Sequence, residues 1–379
     1  MRPVCSVAFV IALCVVSAGC GVLRPATPAP PPFGALEVLG SYILPETPVG
    51  PSHDVIAELS GAWYDEGSGK VFIVTDRRDR PGIFAMRLEL APEVRLIPEQ
   101  FTAVEPPFEG RTLDLEGIGP APHGNLFLSS EGEDVNPERP APGIYEYTRA
   151  GRFVRKLPVP GAYSGMRSNA AFEGLSVSPD RHQLVAASEG SLRQDGGLAT
   201  FDSGSTNRIL VYDLGDESAP REYAYRTEPV PRLREQGLAT GENGISEILS
   251  VGRDDLLVLE RAYVAEIGTG ARSANAVRLF RVRLNAEGAI TGRWSLGETP
   301  PARVLRKTLV LDLSTLAEKL HPRLKNLENF EAMSLGPTLP DGRRTLILVS
   351  DNNCSDAQVS AVVVLAWSHP GPRIPKPKS

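Results

Sequence analysis

Glu173-Gly-Leu-Ser-Val-Ser-Pro-Asp-Arg-His-Gln-Leu-Val-Ala-Ala-Ser-Glu189 is the stretch whose reading decides the fold. It opens on a glutamate, turns through Ser-Pro-Asp, and returns along an apolar run that ends on a second acid. Pro and Asp at the centre are turn formers, and the flanking runs suit strands, so the stretch reads as a β-hairpin with an acid at each open end. The same grammar recurs four more times. Glu58-Leu-Ser-Gly leads to Val-Phe-Ile-Val-Thr-Asp76, and Glu116-Gly-Ile-Gly to Leu-Phe-Leu-Ser-Ser-Glu131. Glu247-Ile-Leu-Ser leads to Leu-Leu-Val-Leu-Glu260, and Glu331-Ala-Met-Ser to Leu-Ile-Leu-Val-Ser-Asp351. The midpoint of every acid pair falls in turn chemistry: Gly67, His123-Gly124, Arg181, Arg253-Asp254 and Asp341-Gly342.

Each hairpin is followed by further strand-like runs. Gly-Ile-Phe-Ala-Met-Arg-Leu-Glu-Leu follows Asp76, and Gly-Ile-Tyr-Glu-Tyr and Phe-Val-Arg-Lys-Leu follow Glu131. Four strands per repeat make a propeller blade. The expected fold is therefore all-β, a β-propeller of four-stranded blades, with five blades counted. The steps between repeats exceed the roughly 40–50 residues of compact blades. The third and fourth are the longest, with room for long loops or for a sixth, degenerate blade. The fifth repeat is one strand short after Asp351, and the early run Leu36 to Leu44 is placed to supply it. The ring is then closed by an N-terminal strand.

Composition agrees. Gly (36) and Pro (34) are scattered through 379 residues, as turn-rich all-β chains require, and a hydrophobic fraction of 41% supports a core. A net charge of −6 with no basic stripe argues against a nucleic-acid partner. The organisation expected is an export signal over 1–20, a Pro-rich linker over 21–34, the propeller over 35–369 and a flexible tail over 370–379. The signal has a positive start at Arg2, an apolar run from Val4 to Val16, and small residues before Cys20. Small residues before a cysteine resemble a lipobox, which would lipidate Cys20; ordinary cleavage after Ala18 is the alternative. The protein is then an exported, periplasmic or envelope-anchored monomer, touching membrane only through Cys20. Of the four cysteines only Cys354 lies in the propeller, so no disulfide or cysteine metal site is available there.

Because the first strand of a propeller blade lines the central channel, ten acids are expected near one mouth: Glu58, Asp76, Glu116, Glu131, Glu173, Glu189, Glu247, Glu260, Glu331 and Asp351. Two like charges about 4 Å apart at intermediate dielectric repel by ~4 kcal/mol. Bound cations, arginines or raised pKa values must relieve this. Ca²⁺ is the cation that such a set of hard oxygens suits. The other reading is that each acid accepts backbone N–H groups or an arginine and only fixes blade geometry. Arg77, Arg78 and Arg261 lie next to these acids and would bind phosphate, or serve as their counter-charges. No Gly-x-Ser-x-Gly elbow is present, and the five histidines show no paired metal spacing.

Leu113-Asp-Leu-Glu-Gly-Ile118, Asn169-Ala-Ala-Phe-Glu-Gly-Leu175, Asn243-Gly-Ile-Ser-Glu-Ile248 with Leu257-Val-Leu-Glu-Arg261, and Asn329-Phe-Glu-Ala-Met333 with Leu348-Val-Ser-Asp-Asn-Asn353 together resemble the bacterial phytase-like family, labelled by the esterase-like activity of phytase. The resemblance spans residues 36 to 367. It departs at Cys354, where that family usually carries Phe. It implies an exported propeller, and by its label phosphoester hydrolysis. Well-studied propeller phytases hold several Ca²⁺ ions with acids and bind phosphate through Lys and Arg. Three functions stay open: a Ca²⁺-dependent phosphoester hydrolase at the acid-lined mouth, a non-catalytic envelope protein binding a ligand on the propeller face, and a lactonase-like metal-dependent ester hydrolase.

Overall fold

The expected hairpins form, and each is the inner half of a blade. In the computed structural model, described for residues 34–46, 48–49, 53–108, 112–132, 141–216, 218–232, 239–268, 272–297 and 304–367, five four-stranded antiparallel sheets form a ring. The expected signal, Cys20, most of the linker and the tail lie outside these residues. The chain enters through β1 (Leu36–Ile43), then a short ribbon of β2 (Pro48–Val49) and β3 (Asp54–Val55). Blade one is β4 (Leu59–Asp65), β5 (Lys70–Thr75), β6 (Gly82–Glu89) and β7 (Arg95–Ala103). Blade two is β8 (Leu115–Pro120), β9 (Leu126–Ser130), β10 (Gly143–Tyr147) and β11 (Phe153–Lys156). Blade three is β12 (Phe172–Val177), β13 (Gln183–Ser188), β14 (Thr206–Asp213) and β15 (Arg221–Arg226). Blade four is β16 (Ala239–Ser250), β17 (Asp255–Glu266), β18 (Ser273–Arg283) and β19 (Lys307–Asp312). Blade five is β20 (Asn329–Thr338), β21 (Arg344–Asp351) and β22 (Ala361–Trp367), completed on its outer edge by β1.

The first strand of each blade lines the axis, and these strands touch in the order β4, β8, β12, β16, β20 and back to β4. β1 closes the ring as expected, pairing antiparallel with β22 from Leu36 opposite Trp367 to Ile43 opposite Ala361. Among the described residues there is no sixth blade. The extra length of the third repeat goes into the loop carrying the 3-10 turn Arg193–Asp195, and that of the fourth into a long β16–β17 hairpin and the 3-10 turns Leu313–Lys319 and Pro322–Leu324. β7 is a strand the sequence reading did not foresee. It carries Pro98 and is half exposed, which an outermost strand tolerates and an inner one would not.

The core sits between blades. On β13, Leu184 and Ala186 pack toward blade two while Val185 and Ala187 pack toward blade four. Because both faces of such a strand are covered, its sequence is continuously apolar rather than alternating. Ala361-Val-Val-Val-Leu-Ala-Trp367 is the extreme case, buried along its whole length.

A bulge interrupts every innermost strand: between Leu59 and Ala62, Leu115 and Gly117, Phe172 and Leu175, Ile245 and Glu247, and Phe330 and Ala332. A bulge adds an unpaired residue and re-aims its side chain. Superposing the bulges makes Ser60, Glu116, Glu173, Ser246 and Glu331 equivalent. This corrects the repeat as read from the sequence: Glu58 stands two residues before the equivalent position and Glu247 one after it.

Candidate functional site

The re-aimed acids face a cavity of about 690 Å³ at one mouth of the ring. Glu116, Glu173 and Glu331 reach it from the bulges of β8, β12 and β20. Asp76, Glu131 and Glu189 reach it from the ends of β5, β9 and β13. A recurring backbone bond sets the second group: Asp76 N–H donates to Glu58 O (3.0 Å), Glu131 N–H to Asp114 O (3.0 Å) and Glu189 N–H to Ala171 O (2.8 Å). Each such residue begins the loop as its strand leaves the hairpin, which turns the side chain inward.

Four of the ten expected acids do other work. Glu247 lies below the cavity in the wall of the axis, where its Oε1 accepts the backbone N–H groups of Leu175 (3.0 Å) and Ile248 (2.9 Å). Glu260 lies away from the mouth, holding Tyr225 Oη (2.6 Å), Lys307 Nζ (2.6 Å) and the Glu228 amide (2.9 Å). Asp351 is a strut from blade five to blade one, accepting from the amides of Leu59 (2.9 Å) and Asn353 (2.8 Å). Glu58 sits at φ 52° next to that strut, its amide donating to Asn352 Oδ1 (3.2 Å). The carboxylates the sequence reading missed are Asp114, Glu242 and Glu328, all in the cavity wall. Asp114 stands two residues before Glu116 in one extended run, a spacing that alternation assigns to one face.

The arginines also divide. Arg77 turns away to Asp79, with Nη2 to Oδ2 at 2.7 Å, and does not line the cavity. Arg78 lines it, tied through Nε to Asp114 Oδ2 at 3.1 Å. Arg261 is buried among Glu331 (3.2 Å), Glu242 (3.1 Å) and Glu189 (3.7 Å), so acids already claim it. Arg323, unforeseen, adds a further guanidinium to the wall.

The acids outnumber these cations, and burial raises their pKa values. Asp76 is pushed up to about 9 by desolvation and then by the charges of Asp351, Glu331, Glu58 and Asp114. Glu131 rises to about 8 through desolvation and Glu189, partly offset by the amide of Ala171. Glu189 rises to about 7, its desolvation opposed by Arg261. Glu116 and Glu173 rise well above the usual carboxylate range, from desolvation first and neighbouring acids next.

Two overlapping groups stand out. Ligand oxygens of Asp76, Asp114 and Glu116 lie within 4.8 Å of one another, as do those of Glu116, Glu131 and Glu173. Glu116 belongs to both. The donors are hard carboxylate oxygens, which suit Ca²⁺ over softer metals. Asp76 Oδ1 and Asn275 Oδ1, both at this cavity, are buried with no hydrogen-bond partner among the described residues. A buried oxygen without a donor is costly, and a cation would satisfy it. The residues present therefore fit divalent cations.

The model of a family described as Phytase-like, esterase-like activity of phytase, matches residues 55–354. No curated protein matches the chain in sequence. Among solved structures, an endo-arabinase from Bacteroides thetaiotaomicron is 10% identical with TM-score 0.42, covering 87% of this chain and 100% of its own. The catalytic domain of a GH62 α-L-arabinofuranosidase from Coprinopsis cinerea is 13% identical with TM-score 0.42, covering 90% and 98%. A PQQ-bound aldose sugar dehydrogenase from Streptomyces coelicolor is 11% identical with TM-score 0.35, covering 89% and 100%.

Proposed function

The chain belongs to the phytase-like family, and on that premise we propose that its acid-lined mouth is a Ca²⁺-dependent phosphoester hydrolase site. The observation that carries this reading is the pair of three-carboxylate groups sharing Glu116. Asp76, Asp114 and Glu116 would hold one ion, and Glu116, Glu131 and Glu173 a second. Bound Ca²⁺ would supply positive charge to offset the acids and attract phosphate.

The chain's own residues do the rest. Arg78 spends only its Nε on Asp114, so its terminal amino groups are available to a phosphate oxygen. Arg323 offers a second guanidinium in the cavity wall. Arg261, claimed by three carboxylates, positions Glu189, Glu242 and Glu331 rather than substrate. Glu189 stands outside both ligand groups and titrates at about 7. It is suited to hold a proton and give it to the departing oxygen as a water oxygen bonds to phosphorus and the ester P–O bond breaks, and to take up the proton that this water loses.

The test is phosphate release from phytate and from an aryl phosphate, with Ca²⁺ and with chelator. Release that needs Ca²⁺ and disappears in E116Q and E173Q is expected. No release in saturating Ca²⁺ overturns the reading. The three carboxylates that hold the terminal amino groups of Arg261 favour one second reading, a non-catalytic envelope propeller that binds a ligand at this mouth. Ca²⁺-dependent thermal stabilisation without turnover of phosphoesters or lactones would support it; turnover of lactones alone would point to the lactonase-like activity. The expected location is outside the cytoplasm with Cys20 as lipid anchor, and C20S should release the protein from the membrane fraction.

A further inference from the structure

The opposite ends of the same inner strands enclose a second cavity, of about 260 Å³. It differs in every respect from the acid mouth. Ser176, Ser250 and Ser334 stitch its wall together: Ser176 Oγ accepts from the Ser250 amide (3.0 Å), and Ser334 Oγ from the Tyr64 amide (2.8 Å). Trp63, Val177 and Leu335 give it an apolar side.

Two guanidiniums face this cavity, and neither forms an ion pair among the described residues. Arg344 begins β21, opposite Thr338 in the strand pair. Its Nε is sealed from water and has no hydrogen-bond partner among the described residues. Desolvation lowers its pKa, and the acid that acts on it is Glu66, at a distance too long for an ion pair. Arg181 stands at the tip of the β12–β13 turn with φ 59°, a left-handed conformation that non-glycine residues seldom adopt. A half-buried cation without a counter-charge is costly unless an anion arrives.

We propose that this second mouth is a binding site for a small organic monocarboxylate, whose carboxylate bonds Arg344 and Arg181 and whose apolar body lies against Trp63 and Leu335. The planar guanidinium fork matches a carboxylate. Glu66 on the same wall sets the charge limit, since it repels a doubly charged phosphate group more strongly than a carboxylate. The site shares no lining residue with the acid mouth, so the proposal stands apart from the hydrolase reading.

The test is an NMR titration of the full protein in saturating Ca²⁺ with phenylacetate, following the indole N–H signals of its 3 tryptophans. A saturable shift confined to Trp63 is expected, with none from benzylamine and weaker binding by phenylphosphonate. R344Q should weaken phenylacetate by about tenfold or more, the value of one charge-assisted hydrogen bond, and R181Q by less. The Trp294 and Trp367 indole signals and the melting temperature without ligand should stay close to the wild type in R344Q, which reports that the variant is folded. If R344Q does not fold, R344K keeps the charge, loses the fork and should weaken binding several-fold. Absence of a saturable Trp63 shift, tighter binding of phenylphosphonate, or unchanged affinity in the Arg344 variants overturns the proposal.

Discussion

The two mouths of the ring are the two ends of the same five strands, yet one gathers carboxylates and the other serines, an indole and two guanidiniums without an ion pair among the described residues. A single layer lies between them. There the bulged strands place Gly61, Gly117, Gly174, Glu247 and Ala332 at equivalent positions. A Cβ on Gly61 would lie 2.4 Å from Glu116 O, and one on Gly174 2.5 Å from Ile248 N. Four small residues thus let neighbouring backbones close on one another, and the fifth position is filled by the Glu247 side chain. The difference between the mouths is one of what the bulge does: above the layer it turns acids inward, below it pairing resumes, broken again in blade five between Leu335 and Thr338, and small polar side chains bridge blades.

The comparison breaks first at that layer. G174V should remove soluble, folded protein altogether, because its side chain would meet backbone that cannot yield, at a cost of at least about 3 kcal/mol. Expression and circular dichroism read this directly, and a well-folded G174V would mean the blades are less tightly apposed than described. E247A comes next. It strands the amides of Leu175 and Ile248, at roughly 1–3 kcal/mol for each unpaired group. Burial holds the Glu247 carboxyl well above its usual range even though four backbone amides oppose the shift. E247Q should therefore melt close to the wild type while E247A melts far below it. Equal losses in both would show that the charged form is the one the layer requires.

A smaller effect separates the mouths by pH. Asp76 (about 9), Glu131 (about 8), Glu189 and Asp351 (each about 7) all sit above their ordinary values of 3.8 or 4.5. Between the ordinary value and the raised one, the native state holds protons that the unfolded chain has released. Stability then falls as pH rises. The penalty is absent below about pH 4, grows through pH 5–9, and is complete above the highest of these values. In chelator the melting temperature should drop from pH 5 to pH 9. Ca²⁺ competes with those protons, so it should stabilise more at pH 8 than at pH 5. A Ca²⁺ shift independent of pH would detach the ion from these carboxyls. The smallest effect is a pair of substitutions: E116Q should abolish the Ca²⁺ shift, whereas E260Q should leave it intact and lower stability by about 1–3 kcal/mol through Lys307, Tyr225 and the Glu228 amide. Thermal melts with and without Ca²⁺ distinguish the two.

Much of this architecture could be read from the residues because turn chemistry is local. Gly67, Gly342 and Ser178-Pro-Asp mark their hairpins wherever they occur, and the family resemblance through Asn169–Leu175 and Asn329–Met333 pointed to the same ring. The site was less legible. Counting from acid to acid assumes unbroken pairing, and a bulge with one extra residue, which leaves one residue unpaired in blade two and two in blade one, defeats the count. Glu58 and Glu247 therefore looked like partners of Glu116 while standing elsewhere. Glu260 kept the pattern's spacing but found Lys307 instead of the cavity, a partner from β19 that no local motif announces. Arg261 and Arg323 exchanged importance for the same reason: which guanidinium is already occupied depends on Glu189, Glu242 and Glu331 converging from three places in the chain.

The pairing of β1 with β22 sets an order of events. Leu36 leaves its synthesis site early, and its partner Trp367 is made only after all the other strands. Until then the ring is an open arc with two bare strand edges, and a bare edge is a template for the wrong neighbour. Closure of so distant a contact is slow. A chain interrupted anywhere after blade one would keep its hairpins but lack the clasp, so quality control needs to inspect only one seam.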